Sequence, residues 1–256
     1  MKFVLIKKRT LFKATILGMA LLGVLLGVHF SGAAAVFNNT SVRNHPIYSV
    51  ATQEQKVAIS FDVAYGARHT QSILDVLATH EVKATFFITG AWAERNVEEM
   101  QAVIKSERVE VGSLSNTHPH MTRLTNRQMQ TELSSSLEAL QAVVGARPNL
   151  FRAPFGEYSN SLLSTAGSLN LTTIQWSVDG LDHQNLSSYD ITNRVLAQSS
   201  AGSIIRLSGD GQHTAGALGA IIQGLQNRNL TIVPVGQLIF TDNYTIDHSG
   251  KQQKVG

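Results

Sequence analysis

Carboxylate, imidazole and guanidinium side chains come after several short apolar runs of this sequence. Asp62 and His118 each come after one such run, and Arg152 and Asp179 come after two others. Carboxylates and imidazoles transfer protons and can hold a divalent metal, and a guanidinium can orient a carboxylate. These four positions are therefore candidates for a catalytic or metal-binding site.

The apolar runs alternate with amphipathic segments from Lys56 onward. Predicted strands cover residues 57–61, 82–88, 109–111, 150–151, 172–176, 203–207 and 230–235. In one predicted helix, Thr125 and Gln128 form a capping box and Gly145 ends the helix. About seven β-α units predict a parallel sheet with helices outside, either open or closed into a barrel. In both cases the functional groups are expected at the carboxyl ends of the strands.

Five of these strand ends resemble, in order and spacing, the motifs of the polysaccharide deacetylase (NodB-homology) family, and in particular its sporulation-associated branch. They are Phe61-Asp62-Val63, the stretch 112–119, the stretch 151–156, the stretch 176–182, and Leu207-Ser208. The similarity extends from about Lys56 to Ile239. It implies a distorted (β/α) barrel that removes N-acetyl groups from chitin-like or peptidoglycan glycans, which is hydrolysis of a non-peptide C–N bond.

The resemblance also implies a mechanism. A divalent metal, zinc or cobalt, binds a water and the acetyl oxygen, an aspartate takes the proton of the water, and a histidine protonates the leaving amine. Asp62 matches the base, Arg152 the residue that orients it, and Asp179 the carboxylate that supports the acid. The positions that match the acetyl pocket or could contact the sugar are Pro154, Phe155 and Trp176.

Three positions depart from the family pattern. Val63 stands where the metal-binding aspartate is expected, Leu114 where the first of two metal-binding histidines is expected, and Ser208 where the acid is expected. His118 matches the second histidine. Because a zinc site needs about three protein ligands, we expect metal binding to be weak or absent and activity to be reduced or lost. Two functions stay open: a deacetylase, or a non-catalytic protein that binds or scaffolds a glycan.

Several of these residues also have a purely structural interpretation. Arg152 could be a buried ion-pair partner of Asp62, His118 could lie in a loop without binding metal, and Trp176 could belong to the core. His213, five residues after Ser208, is a candidate for a relocated acid or ligand.

The N-terminal segment predicts export. Residues 14–37 contain no Asp, Glu, Lys or Arg, which is long enough for a membrane-spanning helix, and five basic residues precede them. We expect a membrane anchor with the folded part outside the cytoplasm, or a secreted protein if a signal peptide is cleaved after Ala35. The predicted organisation is 1–37 anchor or signal peptide, 38–54 tether, 55–242 deacetylase-like domain and 243–256 polar tail.

Composition narrows the possible partners. The formal net charge is +3, but the five basic residues before residue 14 account for more than this, so the rest of the chain carries −2. No stripe of Lys and Arg appears elsewhere, so nucleic acid is not an expected partner. The chain has no cysteine, which excludes disulfides and thiolate metal sites. The expected partners are an N-acetylated cell-wall glycan and, through the N-terminal segment, a membrane.

Overall fold

The apolar runs of the sequence form one parallel sheet at the centre of the fold. The computed structural model describes residues 44–66 and 68–255, and its strands are β1 (Ser49–Val50), β2 (Lys56–Val63), β3 (Ala84–Ile88), β4 (Val109–Ser113), β5 (Leu150–Phe151), β6 (Thr172–Thr173), β7 (Val178–Asp179), β8 (Ile204–Ser208), β9 (Thr231–Val233), β10 (Tyr244–Ile246) and β11 (Lys251–Lys254). Strands β2 to β9 make up this sheet, in the order β6-β5-β4-β3-β2-β8-β7, and β9 also pairs with β2. The pairings are parallel, so the carboxyl ends of the strands lie at one edge.

Helices connect most of the strands. They are α1 (Thr70–Thr79), α2 (Gly90–Arg95), α3 (Val97–Lys105), α4 (Asn126–Val144), α5 (Asn160–Ser168), α6 (Ser188–Gln198), α7 (Thr214–Gln226) and α8 (Val235–Leu238). Helix α4 confirms the predicted capping box, because the Thr125 side chain accepts from the backbone of Gln128 while the Gln128 side chain accepts from the backbone of Thr125. It ends at Gly145, whose φ of 79° is the left-handed conformation that glycine adopts without strain.

The sheet confirms the predicted α/β class but is a curled half-barrel rather than a closed barrel. Its edge strands β6 and β7 do not pair with each other in the described chain. Next to β6, the backbone of Ile47 instead accepts from Gln175 and donates to Thr173, at 2.7 and 2.9 Å. The N-terminal part of the described chain therefore covers that edge.

Helices α2 and α5 have no counterpart in the apolar pattern of the sequence. The N-cap residue of α2 is Thr89, whose side chain accepts from the backbone of Trp92, and the N-cap residue of α5 is Ser159, whose side chain accepts from the backbone of Leu162. Both helices are short and bury few residues, so capping rather than periodicity marks where they start.

The expected tether and tail are corrected by the structure, because the described part of each is folded. Ile47 and Val50 are 0% and 2% exposed and belong to the core. Strand β1 pairs with β11, and β11 pairs with β10. Gln252 is fully buried, and its side chain accepts from and donates to the backbone of Phe240. Because Gln252 is a polar residue that is buried through hydrogen bonds to the backbone, the sequence has no apolar pattern here from which the strand could be predicted.

The predicted membrane segment, residues 14–37, lies outside the described residues. From Asn44 onward the described chain belongs to one compact unit. Within the part of the chain that the structure describes, no helix combines the length and the apolar composition needed to cross a membrane.

Candidate functional site

A groove with a cavity volume of about 520 Å³ lies at the carboxyl edge of the sheet. The polar and aromatic residues around it are Asp62, Tyr65, His118, Phe155, Trp176, Asp179, His183, Arg206, Ser208 and Asp210. The parallel sheet brings these residues together because most of them end a strand or follow its end. Among the positions matched to the family pattern, four are instead buried in the fold: Val63, Leu114, Arg152 and Pro154.

Two carboxylates and two guanidinium groups form one network in and under this groove. Arg152 Nη1 donates to Asp62 Oδ1 at 2.8 Å, and Arg206 Nε donates to Asp62 Oδ2 at 2.7 Å. Arg206 Nη1 donates to the carboxylate of Asp179, at 3.2 and 3.4 Å from its two oxygens. Each oxygen of Asp62 is therefore engaged by a different arginine.

Strand register explains why these groups meet. Ser60 of β2 lies opposite Arg206 of β8, and Asp62 lies opposite Ser208. Asp179 of β7 lies opposite Arg206 on the other side of β8. Because side chains two residues apart on a strand share a face, Arg206 and Ser208 point to the same side of the sheet. Arg206 thus stands between the two carboxylates.

Arg152 is held in one orientation by buried residues beneath the groove. Its side chain is fully buried, and Nη2 donates to Ser60 Oγ at 2.9 Å and to the backbone oxygen of Gln175 at 3.2 Å. The guanidinium carbon lies 4.0 Å from the ring centroid of Phe87. A planar guanidinium whose two terminal nitrogens both have fixed acceptors cannot reorient, so Arg152 fixes the position of Asp62.

These two arginines also set the protonation of Asp62. Burial alone raises the pKa of this carboxyl, but the charges and hydrogen bonds of Arg152 and Arg206 outweigh it, so the pKa lies below its ordinary value. Asp62 is consequently ionised at neutral pH and is a weak base. A general base works best with a pKa near the operating pH and with an oxygen free to take the proton.

The residues at the expected metal positions do not fit a divalent cation. Val63 and Leu114 are each 1% exposed and pack in apolar clusters, and neither side chain carries a ligating atom. Both oxygens of Asp62 already accept from guanidinium groups. Across residues 44–66 and 68–255, no three His, Asp or Glu side chains are grouped as metal ligands are.

His118 lies in the groove with aromatic partners. Its Nδ1 is 3.0 Å from the hydroxyl of Tyr65, and the ring of Phe155 meets it edge-on with centroids 4.6 Å apart. Burial lowers the pKa of His118 below its ordinary value, so the ring is neutral at neutral pH. His118 therefore lies in the groove, in contact with the rings of Tyr65 and Phe155.

An aromatic rim continues from His118. His120 stacks on Phe155 at 4.2 Å and an interplanar angle of 18°, and its Nδ1 is 3.0 Å from the carboxylate of Glu157. Tyr65 and Phe155 are 65% and 52% exposed, so both residues are open to solvent at the groove. Phe155 has a positive φ of 59°, a conformation that costs energy for a residue with a side chain.

Ser208 carries no acid but contacts two further aspartates, the carboxylate of Asp182 and the backbone of Asp210. Its backbone N–H donates to Asp182 at 2.7 Å, and its hydroxyl accepts from the backbone of Asp210 at 3.2 Å. Burial raises the pKa of both Asp182 and Asp210 above the ordinary value. His213 does not line the groove; it is the cap residue of α7, and its backbone oxygen accepts from Ser188.

Arg206 was missed by the sequence reasoning, although a signal for it exists. It interrupts the apolar strand Ile204-Ile205-Arg206-Leu207, two residues before Ser208. A charge in a buried parallel strand needs a charged partner, so an arginine at this point predicts carboxylates on the neighbouring strands.

Comparisons with known proteins give one matching family model and several similar sequences. A family model described as polysaccharide deacetylase matches residues 49–174. The peptidoglycan-N-acetylglucosamine deacetylase of Bacillus cereus is 31% identical over 198 residues, which cover 76% of this chain and 72% of that protein. The uncharacterised protein YlxY of Bacillus subtilis is 29% identical over 199 residues, which cover 78% of this chain. This chain spans only 62% of the length of YlxY.

Among solved structures, this chain is similar to a CE4-family pseudoenzyme from Bacillus anthracis. The TM-score is 0.73 at 26% identity, and the match covers 75% of this chain and 68% of that chain. A mutant of that pseudoenzyme with restored enzymatic activity matches equally well, with a TM-score of 0.73 at 27% identity. The fold is therefore shared both by proteins described as deacetylases and by a protein described as a pseudoenzyme.

Proposed function

This chain belongs to the polysaccharide deacetylase family, and we propose on that premise that it binds an N-acetylated cell-wall glycan without hydrolysing it. One observation carries the proposal: guanidinium groups engage both oxygens of Asp62, the expected base, while the apolar side chains of Val63 and Leu114 stand at two of the three expected metal positions. The finer assignment to the sporulation-associated branch rests on motif resemblance. Following the amount of the protein through growth and spore formation in its source organism tests it.

Loss of hydrolysis follows from the groups that amide cleavage requires. An amide carbonyl needs an electrophile to polarise it, and the leaving amine needs a proton. Val63 and Leu114 supply no ligand for a Lewis acid, and the hydroxyl of Ser208 is too weakly acidic to act as a general acid near neutral pH. Asp62, with its lowered pKa, is a weak base toward water.

Binding is supported by the shape and chemistry of the groove. Tyr65, Phe155 and Trp176 offer aromatic faces, against which the C–H faces of a sugar ring can pack. A second cavity of about 650 Å³ shares His183, Ser208 and Asp210 with the groove. The shared residues make one extended surface, which suits an oligosaccharide better than a single sugar.

The binding experiment compares two exposed aromatic residues of the full-length chain. We expect Phe155→Ala to weaken binding of an N-acetylglucosamine hexamer roughly tenfold in calorimetric titration, because one stacking surface is lost. Tyr189, which is 74% exposed on α6 and outside the groove, provides the matched control as Tyr189→Ala. Failure of the wild type to bind the hexamer, or equal losses in both variants, would rule out the groove as the binding site.

One observation favours the alternative, a deacetylase with residual activity. Asp210 lines the groove, and burial raises the pKa of its carboxyl, so it could donate a proton in place of the expected histidine. Under this alternative, acetate release from N-acetylglucosamine oligomers is measurable in the wild type and is lost in Asp210→Asn.

We further propose that the chain is held at a membrane with its folded unit outside the cytoplasm. Five basic residues before a charge-free stretch of residues 14–37 support this orientation. Cell fractionation with protease protection tests it. Recovery of a soluble protein that begins at Val36 would instead show a cleaved signal peptide and a secreted product.

A further inference from the structure

Arg206 places a permanent positive charge in the groove, next to both carboxylates that the family mechanism would use. We propose that Arg206 takes over the electrostatic role of a metal ion: it neutralises Asp62 and Asp179, excludes divalent cations and offers an N–H group to the acetyl carbonyl of a bound glycan. This inference rests on the proposed function, since it names the group of the glycan that the groove recognises.

Charge balance in the network argues against a divalent cation. Asp62 and Asp179 contribute two negative charges, and Arg152 and Arg206 contribute two positive charges, so the network is neutral as it stands. A cation entering beside Asp62 would meet a guanidinium already bonded to each carboxylate oxygen. In a site with 13% exposure at Asp62 and 19% at Arg206, water screens this repulsion only partly.

The remaining nitrogen of Arg206 is available to a ligand. Its Nε and Nη1 donate to Asp62 and Asp179, whereas Nη2 has no hydrogen-bond partner among the described residues and is not among their buried unpaired atoms. The guanidinium carbon lies 4.7 Å from the ring centroid of Trp176, on the wall of the groove. A ligand that reaches this wall can therefore accept a hydrogen bond from Nη2.

A neutral acyl oxygen suits this donor better than a carboxylate does. The positive charge of Arg206 is already balanced by Asp62 and Asp179, so a charged ligand would bring an uncompensated negative charge into a partly desolvated site. An acetamido carbonyl accepts the hydrogen bond without that cost. Under this proposal Nη2 binds the neutral carbonyl oxygen of an N-acetyl group without activating the acyl carbon through a Lewis acid.

The first experiment measures zinc affinity in repaired full-length chains. Three chains carry Val63→Asp, Leu114→His and Ser208→His together. The Arg form keeps Arg206, the Lys form adds Arg206→Lys and the Met form adds Arg206→Met. We expect the Met form to bind zinc at least roughly 100-fold more tightly than the Arg and Lys forms, because only it lacks the competing cation. Equal zinc affinity in the Met and Arg forms, or in the Met and Lys forms, would overturn the proposed exclusion.

The second experiment changes Arg206 alone and compares two neutral ligands, an N-acetylglucosamine tetramer and the glucose tetramer cellotetraose. We expect the wild type to prefer the acetylated ligand at least tenfold, and Arg206→Met to bring the ratio close to one. Arg206→Lys should also lower the ratio, because a lysine lacks the fixed fork that leaves Nη2 free. An unchanged ratio in both variants would refute recognition of the acetyl group by Arg206.

The two experiments separate this inference from the proposed function. If the wild type binds neither tetramer, the proposed glycan-binding function fails, and the zinc comparison still decides whether Arg206 excludes cations. If the wild type binds both tetramers equally, glycan binding stands and acetyl recognition by Arg206 is wrong. Circular dichroism on each variant confirms that the comparisons are made between folded chains.

Discussion

Replacement of Arg152 by methionine tests the charge network most severely. Arg152 is fully buried and makes three hydrogen bonds, to Asp62, Ser60 and the backbone of Gln175, at 2.8, 2.9 and 3.2 Å. Methionine fills similar space but leaves these acceptors without their donor and Asp62 with Arg206 alone. Breaking a buried ion pair by removing one partner costs about 3–5 kcal/mol, which lowers the midpoint of thermal unfolding by roughly 6–20 °C in a domain of this size.

The assay is urea and thermal unfolding of Arg152→Met beside Arg206→Met. Arg206 bonds the same carboxylate but is 19% exposed, so we expect its replacement to lower the free energy of unfolding by only about 1–2 kcal/mol. A double-mutant cycle with Asp62→Asn measures the coupling of each arginine to the carboxylate. If Arg152→Met lowered the free energy of unfolding by less than about 1 kcal/mol, or if both arginine replacements lowered it equally, the difference in burial would not explain their effects.

The pKa of Asp62 is lowered, so the stability that its ionised carboxylate contributes is complete above the ordinary aspartate range and is lost as pH falls through the lowered value. The free energy of unfolding of the wild type should therefore exceed that of Asp62→Asn by less and less as pH is lowered from about pH 5 to pH 2. The pKa of Asp210 is raised, so its carboxyl destabilises the fold once pH rises through that value; Asp210→Asn should raise the unfolding midpoint at pH 8 but not at pH 3. At Gly202, whose φ is 81°, an added Cβ would lie 1.8 Å from the backbone oxygen of Val50, so Gly202→Ala should cost more than about 2 kcal/mol in urea unfolding.

Much of the fold could be predicted because the central strands bury both faces. The run at Val57–Phe61 became β2, and the runs at 109–111 and 203–207 became β4 and β8 with ends that differ by a few residues. By contrast, β10 and β11 escaped prediction. Both strands are short and polar. Their pairing depends on contacts such as the hydrogen bond between the Gln252 side chain and the backbone of Phe240, and a local sequence pattern does not reveal such contacts.

The candidate site was predictable where position along a strand decides the contact. Asp62, Asp179 and Ser208 lie at strand ends, and the parallel sheet brings strand ends together. The role of Arg206 depends on register between three strands, which places it opposite both Ser60 and Asp179. Register between distant segments is set by packing of the whole sheet, so the sequence could reveal an unusual charge but not its partners.

The central claim is that the groove binds N-acetylated glycan and leaves it intact. The most direct measurement incubates the full-length chain with an N-acetylglucosamine hexamer and added zinc or cobalt, and then determines bound hexamer and free acetate in the same sample. We predict that the hexamer binds saturably and that free acetate does not exceed the level in a blank without protein. We also predict that the chain does not retain a stoichiometric amount of zinc, about one ion per chain, after desalting. Acetate release that depends on the metal and disappears in Asp62→Asn would contradict the account, because it would show that Asp62 acts as a base despite its two arginines.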